Sequence, residues 1–323
     1  MPGTAIRKRK RIAAVLLLAF LVSGSAGSNP FKGKRLYVDP NSPAKRQADT
    51  WKRSRPVDAE LIARIANQPV ARWLGGWVGN IRREVNQAVS TITGSGALPV
   101  FVAYNIPYRD CGSYSAGGSA TSNAYRNWIK DFAAGVGGRN AIVILEPDAL
   151  AGMDCLSAAG RQERLALIRE AVQALRAQRA AVYIDAGHVN WHPAAEMARR
   201  LQQAGVAQAT GFALNVSNFA PTENNVAYGE QISRLVGGKH FIIDTSRNGL
   251  PANNKEWCNP RGRALGVAPT ANTGHPLVDA FLWVKAPGES DGTCGGGPRA
   301  GSWWSAYALE LSRAASVLSG RTR

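Results

Sequence analysis

Acidic side chains follow several short apolar runs of the sequence, close to the point where each run ends. The residues are Asp110, Glu146, Asp148, Asp185, Asp244, Glu289 and Asp291. Taken singly, each is most simply a turn or helix-capping residue, and we interpret Asp244, which precedes Thr245 and Ser246, in this way. One of Glu146 and Asp148 is also expected to hold backbone amides. If these carboxylates lie together at one edge of the fold, however, their negative charges repel each other unless a substrate binds them or two of them share a proton. The set as a whole therefore indicates acid/base chemistry.

The other residues that could carry chemistry point away from a metal or a nucleotide. His188 and His192 have the i, i+4 spacing of zinc ligands, but the segment His-Val-Asn-Trp-His lacks the glutamate of a metalloprotease. The sequence contains neither a GxGxxG nor a Walker-type glycine pattern. We therefore expect no cofactor and no metal.

Nine tryptophans indicate what kind of substrate the carboxylates serve. Trp73, Trp191 and Trp257 lie at or just beyond strand ends, whereas Trp283 and Trp128 are equally well explained as core residues. The flat apolar faces of sugars stack on indole rings, and their hydroxyl groups require polar side chains at the edges. Carboxylates combined with tryptophans at one edge therefore indicate a carbohydrate substrate.

The same apolar runs define the fold that must position these residues. Seven runs rich in β-branched and aromatic residues predict strands at 71–74, 99–104, 141–145, 181–184, 211–216, 240–243 and 280–284. Helical spacing predicts helices at 58–67, 81–92, 122–136, 193–204 and 303–318, with one more marked by Leu165, Ile168, Val172 and Leu175. Strands that are apolar on both faces and alternate with helices indicate an α/β fold with a parallel sheet. The number of units favours a closed or nearly closed barrel, in which side chains at the carboxyl ends of the strands share one rim.

The first 55 residues differ from the rest of the chain. A basic run at 7–11 precedes an apolar stretch at 12–22 and small residues at 23–27, so residues 1–28 are predicted to be a signal peptide. The stretch is shorter than the ~20 residues of a membrane span, although an uncleaved anchor is the alternative. Residues 29–55 are polar and rich in proline, which predicts an irregular N-terminal surface arm. Residues 56–323 are expected to form the single catalytic domain.

Charge and cysteine content set further limits. The formal net charge is +17, but the arginines are scattered and no nucleic-acid-binding module is recognisable, so nucleic acid is not an expected partner.

A secreted chain with four cysteines is expected to form disulfides, and three pairings are possible. We favour Cys111 with Cys155 and Cys258 with Cys294, because each bond would staple the loops of one half of the chain.

The sequence resembles the family-6 glycoside hydrolases, secreted cellulases that cleave β-1,4-glucan with inversion. The resemblance runs from Asn29 to about Trp304. It rests on the ordered segments Tyr-Asn-Ile-Pro-Tyr-Arg-Asp-Cys at 104–111, Leu-Glu-Pro-Asp at 145–148, Asp-Ala-Gly-His at 185–188, Asn-Val-Ser-Asn at 215–218, Trp-Cys-Asn-Pro at 257–260, Trp-Val-Lys at 283–285 and Gly-Glu-Ser-Asp-Gly at 288–292. It implies a distorted barrel with fewer than eight strands, in agreement with the seven runs.

The resemblance also implies roles for individual residues. Asp148 matches the general acid, Asp110 the carboxylate that keeps this acid protonated, and Asp291 the proposed base. Asp185 resembles a further carboxylate near the reacting sugar, and Tyr104 the tyrosine that favours its distorted ring. Sugar-binding positions are implied at Trp73, Trp191, Trp257, Lys285 and Glu289, and we also expect substrate contacts from Asn215 and Asn218. The family's serine in the loop after Arg-Asp-Cys matches Ser113, Ser115 or Ser119 equally well.

An inverting route needs an acid and a base on opposite faces of the sugar, with ~6.5–9.5 Å between the two carboxyl groups. The segments after Trp257 and Asp291 are short, which favours an open cleft and internal cutting by an endo-β-1,4-glucanase, acting as a monomer. Two alternatives stay open. One is an exo-acting cellobiohydrolase, and the other is a non-catalytic protein that binds glucan or cell wall.

Overall fold

The computed structural model describes Met1, Gly3 and residues 29–250 and 256–321, so the predicted signal peptide lies outside the described residues. Within this part of the chain seven strands form one parallel sheet, in which each strand pairs with the next along the chain. The strands are β1 (Arg72–Gly75), β2 (Val100–Tyr104), β3 (Ala141–Leu145), β4 (Ala180–Asp185), β5 (Gly211–Leu214), β6 (His240–Asp244) and β7 (Val278–Leu282). All seven predicted strands are present, and their bounds agree with the predicted ones to within two residues.

The sheet curls into an incomplete barrel. One buried cluster fills its interior and includes Val102, Ile144, Tyr183, Ala213, Ile242 and Ala280, which come from six successive strands. Phe31 is buried in the same cluster, with its ring 6.0 Å from that of Tyr183. β1 and β7 form no ladder with each other in the described residues, but Ala71 N donates to Trp283 O at 3.0 Å across the seam between them. The predicted distorted barrel of about seven parallel strands is therefore confirmed.

Helices cover the outer face of the sheet. In the described residues they are α1 (Pro43–Trp51), α2 (Pro56–Ala66), α3 (Ile81–Gly94), α4 (Ser122–Val136), α5 (Ala158–Ala177), α6 (Ala194–Gln203), α7 (Thr222–Leu235) and α8 (Ser305–Arg321). Several begin at a capping side chain, because Asn80, Thr121 and Ser157 each accept a hydrogen bond from a first-turn amide. The buried faces of α3, α4 and α5 pack with the sheet in the largest core cluster.

Two helices do not follow the sequence-based expectation. α7 is absent from the predicted set, because its apolar positions are broken by buried polar residues such as Asn225 and Ser233. α1 lies within the segment expected to be an irregular arm, so that description is wrong for Pro43–Trp51. Ser42 caps this helix, and its buried Ala44 and Ala48 join a third core cluster with residues of α2 and α8.

Candidate active site

A cavity of about 1480 Å³ lies at the carboxyl ends of the strands. The predicted site residues that line it are Tyr104, Asp110, Asp148, Asn218, Lys285, Glu289, Asp291, Trp73, Trp191 and Trp257. The segments after all seven strands contribute to one groove, since Trp77 after β1 also lines it, as expected for parallel strands whose carboxyl ends meet at one rim. The proposed acid and the proposed base both face this groove.

Asp148 sits in an environment that keeps its carboxyl group protonated. Burial raises its pKa well above the ordinary value, and the charges of Asp185 and Asp110 raise it further. The residue is held in the left-handed region at φ 66°, with its amide donating to Asp185 Oδ1 at 2.9 Å. Asp148 therefore lines the groove in surroundings that favour the protonated form of its carboxyl group.

Asp185 lies behind Asp148 and does not line the groove. It is fully buried, and its Oδ1 accepts from the amides of Asp148 and Gly187 at 2.9 and 3.0 Å. Burial raises its pKa to about 7. The expectation that Asp185 lies next to the reacting sugar is not met by this position, because its contacts are with the backbone that carries Asp148.

Glu146 and Asp244 are structural carboxylates. The carboxylate of Glu146 accepts from the amides of Asn105 and Ile106 at 2.9 to 3.0 Å, and burial raises its pKa to about 7. Asp244 accepts from the amides of Ser217, Ser246, Val284 and Lys285. The geometry of Glu146 matches the expectation that one carboxylate of the Glu-Pro-Asp segment holds backbone amides. Asp244 accepts from Ser246 N two residues on, as a turn residue does, and it also accepts from amides in the loops after β5 and β7.

Asp110 lies in the loop that follows β2. Burial raises the pKa of its carboxyl group, and a hydrogen bond from Ser115 N to its Oδ2 at 2.7 Å lowers it. Arg109 ties the same loop down by donating to Ser115 O and Tyr104 O, both at 2.8 Å. Of the three candidate serines, Ser115 lines the groove, whereas Ser113 and Ser119 do not.

The side chain of Asp291 is bound by Arg247 and Asn259, to which the sequence analysis assigned no role. The fully buried Arg247 donates Nη1 to both of its oxygens at 2.9 and 2.8 Å. Asn259 N donates to Oδ2 at 3.0 Å, and Lys285 Nζ lies 4.0 Å from Oδ1. Arg247 follows β6 and could have been found by the same rule that selected the other strand-end residues, had the segment after Asp244 not been interpreted as a turn.

Lys285 and Glu289 form a charged pair in the groove wall. Nζ of Lys285 lies 3.8 Å from Oε2 of Glu289. Burial lowers the pKa of Lys285 and raises that of Glu289. Ser290, which sits within the glycine-flanked segment 288–292, is fully buried and donates to Gly292 O at 2.8 Å, so it is a structural residue.

The two predicted asparagines behave differently. Asn218 lines the groove. Asn215 does not, because it is fully buried and its side-chain amide donates to Asp244 O at 2.9 Å and to Ala220 O at 3.3 Å. The expectation of a substrate contact from Asn215 is therefore wrong, and the residue holds the loop after β5.

The tryptophans divide between groove and core. Trp191 and Trp257 are 39% and 44% exposed, and Trp73 is half-buried with its Nε1 donating to Val284 O at 2.8 Å. Trp283 is almost fully buried and donates to Val267 O, while Trp128 packs between Tyr125 and Phe132 on α4.

One aromatic contact joins two of the loops that line the groove. The ring of Tyr114, in the loop after β2, lies 5.9 Å from the ring of Trp257, in the segment between β6 and β7. Tyr114 also covers Gly292, where a Cβ would come within 2.5 Å of its ring. The loop that carries Asp110 therefore touches the loop that carries Asp291.

The cysteines pair as predicted. Cys111 bonds to Cys155 and Cys258 to Cys294. The first bond joins the loops after β2 and β3, and the second ties the segment of Asn259 to the loop of Asp291. In the described ranges no three metal-binding side chains converge on one point, and no helix has the length and apolar character needed to cross a bilayer.

Comparison with known proteins places this site in a family. The model of the glycosyl hydrolases family 6 matches residues 31–315. The chain is 47% identical over 280 residues to endoglucanase A of Cellulomonas fimi, covering 86% of this chain and 60% of that protein. It is 45% identical over 272 residues to endoglucanase 1 of Streptomyces halstedii, covering 81% of this chain and 82% of that protein.

A solved structure agrees with these matches. The endoglucanase Cel6 from Mycobacterium tuberculosis, solved in complex with methyl-cellobiosyl-4-deoxy-4-thio-β-D-cellobioside, superposes with a TM-score of 0.85 at 47% identity. The match covers 90% of this chain and all of that one. The chain spans three-fifths of the Cellulomonas relative but the whole of this solved one. The family model covers most of the chain, and the chain therefore belongs to glycosyl hydrolase family 6.

Proposed function

We propose that this chain is a secreted endo-β-1,4-glucanase that hydrolyses internal bonds of cellulose-like glucans with inversion. The observation that carries the proposal is the contrast between two carboxyl groups in one groove. Burial and neighbouring charges raise the pKa of Asp148 well above its ordinary value, whereas Arg247 and Asn259 donate hydrogen bonds to the side chain of Asp291. Single-displacement glycoside hydrolysis requires one carboxyl group that acts as an acid and a second that acts as a base.

The steps of the hydrolysis follow from these two roles, an acid at Asp148 and a base at Asp291. Asp148 donates its proton to the glycosidic oxygen as the bond to the leaving sugar breaks, and positive charge develops on the remaining ring. A water on the opposite face attacks the anomeric carbon, and Asp291 orients this water and accepts its proton directly or through a second water. The new reducing end then carries the inverted, α configuration. Asp148 regains a proton from solvent before the next cycle.

Asp185 acts on this reaction through Asp148. Its Oδ1 fixes the amide of Asp148, and its charge favours the protonated form of the acid. Tyr104, whose ring lies 5.2 Å from that of Trp73 in a perpendicular arrangement, forms the wall beside the acid. The exposed rings of Trp191 and Trp257 provide flat surfaces for further sugar units.

Product stereochemistry tests the reaction. Cellohexaose is incubated with the purified chain, and the anomer at the new reducing end is followed by NMR before mutarotation. We expect predominantly α product. Predominantly β product would contradict the assignment of Asp291, because retention requires a nucleophile about 5–5.5 Å from the acid.

The endo mode is supported by the names of both curated relatives and of the solved neighbour, each called an endoglucanase. Viscosity of carboxymethylcellulose tests it. We expect viscosity to fall steeply for few reducing ends released, since internal cuts shorten long chains at once. A slow fall in viscosity with cellobiose as the main product would indicate an exo-acting enzyme instead.

Two further parts of the proposal concern export from the cell and the oligomeric state of the protein. Disulfides persist in oxidising compartments, and the two bonds near the site therefore support export from the cell. We also propose that the enzyme acts as a monomer, since all residues of the proposed mechanism come from one chain. Light scattering of the purified protein and its recovery from culture medium test these two points.

A further inference from the structure

Trp77 is a large aromatic residue in the groove to which the mechanism above assigns no role. It is 58% exposed and lines the same cavity as the proposed catalytic carboxylates. Exposed aromatic side chains inside a concave surface are typical of binding sites rather than of a solvated face.

The position of the Trp77 ring is fixed by the backbone at the end of β1. Val78 N donates to Gly75 O at 3.0 Å and closes a tight turn around the residue. A Cβ on Gly75 would lie 2.3 Å from Cζ3 of Trp77, so the six-membered ring rests directly against the glycine. The ring is thus in place before a ligand arrives, which reduces the entropy lost on binding.

Arg109 connects this ring to the reaction centre. Its guanidinium carbon lies 5.4 Å from the ring centroid of Trp77 and 4.4 Å from that of Tyr104. Arg109 is itself held by hydrogen bonds to Ser115 O and Tyr104 O. Arg109 therefore contacts both rings, and Trp77 lines the groove on the side of β1.

We propose that Trp77 is an outer stacking platform that binds a glucosyl unit beyond those held around Asp148. The proposal rests on the proposed glucanase function and adds a preference for longer chains. The indole offers a flat apolar surface for one face of a pyranose. Glu84 and Gln87, on the helix that follows this turn, also line the cavity, and Glu84 pairs with Arg72 of β1.

Chain-length dependence tests this role. Trp77→Ala, Trp77→Phe and a control, Val57→Ala, which removes exposed apolar surface on α2, are assayed on cellotetraose, cellohexaose and carboxymethylcellulose. We expect Trp77→Ala to lower kcat/KM about tenfold on the two longer substrates through KM, with little change on cellotetraose. Trp77→Phe should recover part of the loss, and the control should match the wild type.

Two results would overturn the platform. Equal loss on all three substrates would mean that Trp77 acts on the reaction centre through Arg109, and no loss on any would mean that it does not bind substrate.

Calorimetric binding of cellohexaose to Asp148→Asn and to Asp148→Asn/Trp77→Ala measures the same contact without turnover. A wild type that binds cellohexaose but does not cleave it would refute the proposed function, while weaker binding by the double variant would still support the platform.

Discussion

Asn259 and Asp291 bind each other reciprocally. Asn259 N donates to Asp291 Oδ2 at 3.0 Å, and Asp291 N donates to Asn259 Oδ1 at 2.8 Å. The side-chain amide of Asn259 also donates to Gly292 O at 2.8 Å and to Cys294 O at 3.0 Å. Asn259 is thus a positioning residue that fixes both the backbone and the carboxylate of the proposed base.

Asn259→Gly is expected to lower kcat about 10- to 100-fold with little change in KM, because Asp291 loses its fixed orientation. Glycine keeps the left-handed backbone at φ 49°, so the variant removes only the side chain. Arg179→Gly is the matched control, since Arg179 has φ 64° and lies exposed between α5 and β4. Steady-state kinetics on cellohexaose measure the effect, and a loss confined to KM would contradict this role.

Asp148→Asn is expected to retain the fold and to lose about 10²–10⁴-fold in kcat on β-glucan. Asparagine preserves the shape of the side chain but has no proton acidic enough to transfer. Circular dichroism controls for folding, and reducing-sugar assays measure turnover. A variant with full activity would show that another group supplies the proton.

Asp185→Asn is expected to move the basic limb of the pH profile of kcat/KM to lower pH. The asparagine oxygen still accepts from Asp148 N, but the charge that raises the pKa of Asp148 is gone. Asp148 then loses its proton at a lower pH than in the wild type. An unchanged basic limb would mean that burial alone sets the titration of the acid.

Folding stability should also depend on these buried groups. Burial raises the folded-state pKa of Asp185 and of Glu146 to about 7, so the folded protein binds these protons more tightly than the unfolded chain. Their contribution to the free energy of unfolding is fully present below about pH 4 and is lost as pH rises through about 7. Urea unfolding of the wild type and Asp185→Asn at several pH values isolates one of them. The variant should gain stability relative to the wild type between pH 4 and 8, and a constant difference would contradict the assignment.

Removal of the Cys258–Cys294 bond is expected to affect stability and turnover together. Its 36-residue separation corresponds to about 3–4 kcal/mol of unfolding free energy in the loop-entropy model. Cys294 also lies three residues beyond Asp291 and accepts from Asn259, so the base loop loses an anchor. Guanidinium unfolding and kcat of Cys258→Ser/Cys294→Ser measure both effects. Unchanged kcat at a temperature where the variant is folded would show that Asn259 alone holds the loop.

The strands could be predicted because a strand buried on both faces is a continuous apolar run, and the order of the runs sets the order in the sheet. The rim position of Asp148 and Asp291 follows from the same pattern. Asn215 could not be separated from Asn218 in this way, because both follow one strand. Only the structure shows that the side chain of Asn215 turns inward to bind Asp244 O.

The side chains that bind the carboxylates could not be predicted from the sequence either. Arg247 and Asp291 are 44 residues apart, and their pairing depends on how two loops pack. Trp77 was missed for a related reason. Its ring lies against Gly75 and is 58% exposed, and the apolar run of β1 does not reveal this position.

The indole of Trp73 makes one residue serve two purposes. By donating to Val284 O, it bridges the gap where the first strand fails to pair with the last, while its ring forms part of the proposed sugar wall. Trp73 therefore contributes both to the proposed sugar binding and to the stability of the incomplete barrel. Engineering that reshapes the cleft here will loosen the scaffold unless the lost donor is replaced.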